Sequence, residues 1–356
     1  MALSRPDAGA TGTAHDHGFH PLRVVRVIAE TADASSFVLE VPDALKPDFA
    51  YEAGQFCTFR VRINDRALLR CYSMSSSPAV DPQLKVTVKR TPGGVVSNWI
   101  NDRLAEGDTL EATRPAGIFR LGTSQGDVVA FSAGSGITPV LSLVKTALAT
   151  TTRQVRLLYA NQDHDAVIFA SELEVLGRQY GQRLRVTHHL DVDRGLVQAE
   201  TIGAFADDVD DPEFYVCGPG PFMDVVEQSL HSRGVAPARI HIERFTPAAR
   251  ILESEPMPVV AAATTVTVEL DGRTSTADYR PGTTILQTAR QMGLSPPFSC
   301  EAGSCATCMA MLVEGTAAMH VNNALTDDEV AQGWVLTCQA VPTSPSVHAV
   351  YDYQEG

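Results

Sequence analysis

Three cysteines fall within nine positions of one short segment, FSCEAGSCATCMAML (298–312), and Cys338 follows after 29 intervening residues. The spacing Cys300-x4-Cys305-x2-Cys308…Cys338 is that of plant-type [2Fe–2S] centres. Thiolates are soft ligands for iron. The small residues among them (Ala302, Gly303, Ser304, Ala306, Thr307) let backbone amides point at sulfur and tune the charge held there. Zinc is the rival, but zinc sites pair their ligands as two short C-x2–4-C units, whereas Cys338 stands alone. Buried, unliganded thiols are the bland alternative. A plant-type centre carries one electron at a time at roughly −400 mV, so another part of the chain must supply single electrons.

Three further stretches are suited to that supply. RCYSMSSSP (70–78) sets Arg70, Tyr72 and Ser73 on one predicted strand. An arginine forks onto phosphate, a tyrosine offers a flat face, and a serine hydroxyl reaches a ring nitrogen. Taken alone, the motif also suits a polar strand face. VKRTPGGVVSNWI (88–100) follows, where Gly93 and Gly94 let amides approach a phosphate and Ser97 sits where a helix begins. SAGSGITPVLS (132–142) reads as strand, glycine turn and helix. It lacks the G-x-G-x-x-G fingerprint, yet its context in the first βα unit of a parallel sheet is that of a dinucleotide site. Gly134 and Gly136 permit close backbone approach. YVCGPGPFM (215–223) adds a Cys-Gly-Pro turn at the end of a later strand, with a small core residue as the other reading of Cys217. After the second strand, YANQDHDAVIF (159–169) offers Asn161 and Asp163 and no arginine before Arg178. A ribose hydroxyl suits Asp or Asn, and a 2′-phosphate wants Arg or Lys. NADH is therefore expected rather than NADPH, with Arg194 in DVDRGLV as the basic residue that could reach the site from the neighbouring strand.

The elements that must position these residues fall into three groups. Residues 1–20 are rich in Gly, Ala, His and Pro and are expected as a disordered tail, their histidines (His15, His17, His20) solvated rather than metal-bound. Residues 21–122 alternate in short β-rich runs punctuated by Gly, Pro and Asp, which predicts an antiparallel barrel interrupted by one helix at VVSNWINDRL. Residues 123–247 alternate strands with helices, the pattern of a parallel sheet, ending at the strand ARIHIERF. Residues 248–263 have no period and are expected as a linker. From Thr264 the chain gives two strands, a Pro-Gly turn, a helix, the cysteine segment and further strands, an α+β unit spanning 264–356.

Composition narrows the classes. The chain has 356 residues, 44% hydrophobic and 20% charged, with net charge −14, which disfavours nucleic acid as a partner. No apolar run reaches the ~18 residues of a membrane helix, and the N-terminus lacks an apolar signal core, so a cytoplasmic protein is expected. Seven cysteines then favour metal or redox use over disulfides. Only four lysines occur among the 28 basic residues, an arginine bias that points to a GC-rich bacterial genome.

Together RCYS, the GG turn before the helix, SAGSGITP, the Cys-Gly-Pro turn and ERF (243–245) resemble the ferredoxin–NADP reductase superfamily. Thr264 to the C-terminus resembles plant-type ferredoxins, with a β-grasp fold. The resemblance implies that Arg70, Cys71, Tyr72 and Ser73 hold FAD rather than FMN, with Ser73 near flavin N5. It implies that backbone at Val86, Thr87 and Val88 meets the ring, and that Gly94, Val95, Val96 and Ser97 hold the pyrophosphate. Thr138, Cys217, Gly218, Pro219, Glu243 and Phe245 would surround the nicotinamide, with Thr138, Cys217 and Glu243 framing it together with Ser73 as the catalytic set. The module order resembles the reductase components of bacterial multicomponent oxygenases, nearest to those of 3-ketosteroid 9α-hydroxylase and phenylacetyl-CoA epoxidase. Gln162 departs from the basic residue expected there in those relatives. The implied function is an NADH-dependent reductase passing electrons through FAD and [2Fe–2S] to a terminal oxygenase. Ten acidic against three basic side chains from Thr264 onward give that unit a face able to steer toward a basic partner. The rivals are a redox-sensing interaction protein, which turns over no added acceptor rapidly, and an oxidase, which consumes NADH without a partner.

Overall fold

The computed structural model describes residues 19–64, 66–209, 211–245, 265–294, 296–298, 303, 306–322 and 324–351. The expected linker lies outside these residues, as do His15 and His17.

The first unit is a barrel of β1 (His20–Thr31), β2 (Ala34–Glu40), β3 (Phe56–Ile63), β4 (Arg66–Ser73), β5 (Leu84–Lys89) and β6 (Thr109–Ala112), with α1 (Val95–Arg103) between the last two strands. The sheet runs β4-β3-β6-β1-β2-β5, and a bridge between Met74 and Val86 joins its two edges. Strand alternation fills the interior: Cys57, Phe59 and Val61 of β3 and Val86 and Val88 of β5 enter one core with Leu22, Phe37 and Ile100. The expected tail is shorter than the composition suggests. Phe19 is buried beneath the Arg60 guanidinium, 4.5 Å from the ring centroid. His20 opens β1 opposite Ala112 and meets Phe49 edge-on. An apolar ring that covers a strand edge outweighs the loop-like composition around it.

The second unit contains β7 (Val128–Ala133), α2 (Ile137–Thr150), β8 (Val155–Asn161), α3 (Ala170–Tyr180), β9 (Leu184–Leu190), α4 (Asp191–Arg194), α5 (Ala199–Ala206), β10 (Glu213–Cys217), α6 (Gly220–Ser232) and β11 (Ile240–Glu243). Its strands are all parallel, in the order β11-β10-β7-β8-β9. β7 lies between β8 and β10, so the strand order reverses there, and ligands of open α/β sheets bind in the crevice beyond such a point. Helix α2 is buried on nearly every side. Its Ile137, Val140 and Leu141 share a core with Ala34, Ala53 and Phe119 of the barrel. One continuous apolar core thus crosses from barrel to parallel sheet and fixes their relative placement.

The third unit comprises β12 (Thr265–Leu270), β13 (Arg273–Asp278), α7 (Ile285–Gln291), β14 (Met309–Glu314), β15 (Ala317–Met319), α8 (Asp327–Ala331), β16 (Trp334–Leu336), β17 (Ala340–Pro342) and β18 (Ser346–Val350). Its mixed sheet runs β13-β12-β18-β14-β16. The central β12–β18 pair is parallel and the others are antiparallel. Helix α7 lays Ile285 and Ala289 on this sheet. Thr284 and Gln287 form a reciprocal capping box at its start.

Candidate functional site: a two-cofactor cleft and a thiolate centre

Ser73 ends β4 and is buried. Tyr72 is half-buried with its ring centroid 6.0 Å from that of Phe59, while Arg70 is exposed. Cys71 pairs with Thr58 across the β3–β4 ladder and turns its thiol to the Thr58 hydroxyl at 3.3 Å. Val86 and Val88 give their side chains to the barrel core and Thr87 its hydroxyl to Ser36 and Ser75, which leaves backbone for any ring lying there.

The start of α1 is built to receive an anion. Gly94 is its N-cap and no side chain caps it, so the first amides lack a side-chain acceptor. The Thr91 amide donates to Ser97 Oγ at 3.1 Å and the Gly94 amide to the Thr91 carbonyl at 2.8 Å, curling the loop over the helix end. A Cβ on Gly94 would come 2.6 Å from Ser97 Oγ, so only glycine fits. Val96 and Ser97 are buried and Val95 is 56% exposed.

The turns after β7 and β10 meet at the carboxyl ends of these neighbouring strands. Gly134 has φ +53° and open space before it, whereas a Cβ on Gly136 would lie 2.1 Å from the Cys217 carbonyl oxygen. That contact brings Gly136 against Cys217 and Gly218. Thr138 is buried, its hydroxyl donating to the Ser135 carbonyl at 3.1 Å. Glu243 stands opposite Cys217 in the β10–β11 ladder. Phe245 follows at 43% exposure. The Ser132 hydroxyl and the Asn161 carboxamide are buried without hydrogen-bond partners among the described residues. Buried polar groups cost free energy unless paired, so both fit a ligand entering from the cleft. Asp163 is committed to its own loop through the Ala166 amide, 2.9 Å from Oδ1. The Val192 amide donates to the Gln162 carbonyl at 3.0 Å, which sets the turn carrying exposed Arg194 against that same loop.

Burial pushes Glu243 up to about 8 and raises the Cys217 thiol, with the neighbouring Glu243 adding to the rise. Both are therefore neutral near pH 7. The folded state holds a proton on Glu243 that the unfolded chain releases above pH 4.5. Stability from this proton is complete at low pH and is lost as pH rises toward 8. Glu243→Gln, which stays neutral, should stabilise the apoprotein by a margin that widens by about 1.4 kcal/mol per pH unit between pH 5 and 8. Thermal melts of both proteins across that range check it; a constant margin refutes it.

In the third unit the structure brings together Cys308 and Cys338, both buried, while Cys300 and Cys305 lie outside the described residues. The Cys338 amide points at Cys308 Sγ, 3.5 Å away. The Thr337 amide and hydroxyl both donate to the Cys308 carbonyl, at 3.1 and 2.8 Å. The Tyr351 hydroxyl donates to Thr337 Oγ1 at 2.8 Å. An amide aimed at sulfur suits a thiolate that carries cluster charge. Gly303 at φ +73° would set a Cβ 2.5 Å from the Val321 carbonyl oxygen, so that position requires glycine.

Comparison with known proteins agrees with this arrangement. The chain matches the oxidoreductase FAD-binding domain over residues 21–121, the oxidoreductase NAD-binding domain over 131–228 and the 2Fe-2S iron-sulfur cluster binding domain over 268–343. It is 41% identical to the 3-ketosteroid-9-alpha-monooxygenase ferredoxin reductase component of Rhodococcus rhodochrous, over 91% of this chain and 94% of that protein. It is 33% identical to one of the polypeptides of the 1,2-phenylacetyl-CoA epoxidase of Escherichia coli (strain K12), over 94% of this chain and 98% of that one. In fold it is similar to phthalate dioxygenase reductase, with TM-score 0.59 and 24% identity over 95% of this chain and 99% of that one. The chain belongs to the ferredoxin reductase components of bacterial oxygenases, oxidoreductases that join an FAD-binding barrel, a pyridine-nucleotide domain and a [2Fe–2S] domain in one polypeptide.

Proposed function

We propose that this chain is the NADH-dependent reductase of a steroid 9α-hydroxylase-type oxygenase and delivers single electrons to a separate terminal oxygenase component. The carrying observation is its whole-length likeness to the Rhodococcus relative, all three modules included. FAD held there would supply the conversion between a two-electron hydride and single electrons, which neither a nucleotide nor a one-electron centre makes alone.

The chain's own part is to orient and to exclude water. Arg70 and Tyr72 would grip the flavin, with the Ser73 hydroxyl placed to donate to N5. The uncapped amides of Val95, Val96 and Ser97 hold the pyrophosphate behind Gly94. Thr138, Cys217 and Glu243 frame the nicotinamide, and burial keeps Cys217 and Glu243 uncharged so that neither repels a departing hydride. Asn161 and Asp163 meet the adenosine ribose, where a hydroxyl suits them better than a phosphate. Cys300, Cys305, Cys308 and Cys338 hold the cluster.

Anaerobic titration of the holoprotein with NADH and, separately, NADPH tests this reading. Flavin and iron–sulfur bands should both bleach with NADH, and NADPH should need at least about tenfold more. Equal response to both nucleotides would overturn the NADH assignment and point to Arg194. The reduced protein is then offered to purified steroid-oxygenase and phenylacetyl-CoA epoxidase components. Turnover with the second alone would reassign the partner.

A further inference from the structure

Thr58 should be wet. Along β3, Cys57, Phe59 and Val61 point into the barrel, so Thr58 lies on the outer face. Yet it is only 1% exposed. Part of what covers it comes from the far end of the sequence: Thr58 Oγ1 and Thr307 Oγ1 lie 3.0 Å apart, and Thr307 is itself buried. On its other side Thr58 Oγ1 meets Cys71 Sγ at 3.3 Å. Cys71 immediately precedes Tyr72 and Ser73. Thr307 immediately precedes Cys308. Two short contacts thus join the strand expected to hold the flavin to the loop that presents a cluster cysteine.

We propose that the Thr58–Thr307 hydroxyl pair is a docking latch that seats the cluster loop on the outer face of the flavin strand and sets the rate of electron passage between the two cofactors. Thr58 and Thr307 are positioning residues and touch neither reacting group. The physical case is the pairing of two buried hydroxyls. A donor left unpaired in a buried contact keeps its full desolvation penalty, so the loop is held where both are satisfied. A flavin on this strand and a cluster on this loop would exchange electrons singly, the two electrons of a reduced flavin passing in succession. This inference rests on the proposed electron order, and its test separates the two.

The test uses holoprotein variants. Thr58→Lys drives a long charged chain into the place of Thr307 while remaining compatible with an outward strand position. Thr58→Val keeps the shape and removes the hydroxyl. Stopped-flow mixing with NADH reads flavin and cluster bands separately, and hydrogen–deuterium exchange reads protection at residues 57–59 and 307–309. In Thr58→Lys, flavin reduction should stay within about twofold of the parent while cluster reduction slows at least about tenfold. In Thr58→Val, exchange in both segments should rise about tenfold, as expected for an opening equilibrium that has lost one buried pair. Cluster reduction at the parent rate in Thr58→Lys, or unchanged exchange in Thr58→Val, would overturn the latch. If Thr58→Lys does not retain flavin, Thr58→Val decides alone. Failure of the parent's flavin to bleach with either nucleotide would instead overturn the functional reading itself.

Discussion

Cys308→Ser is expected to leave a protein that still bleaches its flavin with NADH but carries no iron–sulfur signal and reduces a protein acceptor such as cytochrome c at least about a hundredfold more slowly. The thiol sits in a small core with Leu286, Leu325, Leu336 and Cys338. Its backbone is pinned by two bonds from Thr337, itself held by Tyr351. Burial disfavours ionisation of Tyr351, despite its bond to Thr337, so it remains a donor. A serine there offers a hard, weakly acidic oxygen in place of a soft thiolate. The Cys338 amide that faces sulfur at 3.5 Å then faces a shorter side chain. Iron content, the electron paramagnetic resonance signal of the reduced centre and ferricyanide reduction check this in one preparation. Iron retained at the parent level would remove Cys308 from the ligand set. The barrel and parallel sheet share a core of their own, so the flavin half should survive the change.

The parts legible in the sequence are those whose chemistry is local. A glycine before a helix, a Cys-Gly-Pro turn and a run of close cysteines each declare a backbone demand within a few residues, and the same holds for the Thr284–Gln287 capping box. The approach of Gly136 to Cys217 is legible only in part. Both motifs stand out, but their contact depends on β7 and β10 being neighbours in space, which no local window states. Cys71 lies inside the RCYS motif, and strand alternation turns it to the face opposite Tyr72, where its thiol meets the Thr58 hydroxyl, a contact that the motif does not state. The Thr58–Thr307 contact spans 249 positions and leaves no trace in either segment. The serines after Ser73 look like an extension of the motif, yet their partners lie elsewhere. Ser76 and Ser77 bind helix α2 through Ser142 and Thr146, at 2.6 and 2.7 Å. One further signal is present in the sequence: ITPVLSLVKTALAT carries a single charge in an otherwise uncharged helix. A lysine so placed must find partners or lose its charge.

Lys145→Met should lower the stability of the barrel–nucleotide unit by about 3–5 kcal/mol, seen as a fall of about 10 °C in its melting transition. Lys145 is 4% exposed and its Nζ lies 2.5 Å from Asp81 and 2.6 Å from Glu172. Lys85 reaches the other oxygen of Glu172 at 3.0 Å. Asp81 also accepts from the Ser77 amide at 2.6 Å. Two lysines and two carboxylates thus close the joint between the strap after β4, strand β5, and helices α2 and α3. Burial alone would raise the Glu172 carboxyl, but Lys85 and Lys145 more than offset it and hold the group below its usual range. Stability from that shift is present above the unfolded value and is lost as pH falls through the folded one. Removing Lys145 takes much of it away, so the deficit of Lys145→Met should be greatest near neutrality and should shrink toward pH 4. Adding Asp81→Asn should recover part of the loss, because Asp81 is the carboxylate whose lysine has gone, whereas Glu172 keeps Lys85. A fall of under about 2 °C would refute the joint's energetic role. The consequence reaches the cleft, since α2 carries Lys145 at one level and follows the Gly134–Gly136 turn, with Thr138, at its start. The strap that Lys145 grips begins one residue after Ser73. Loosening that grip changes the separation between the turn and the strand proposed above to hold nicotinamide and flavin, and hydride transfer needs reacting atoms held near 3–3.5 Å. Hydride transfer in Lys145→Met should therefore slow by about tenfold or more with the flavin still bound, the mark of lost positioning rather than a lost binding site.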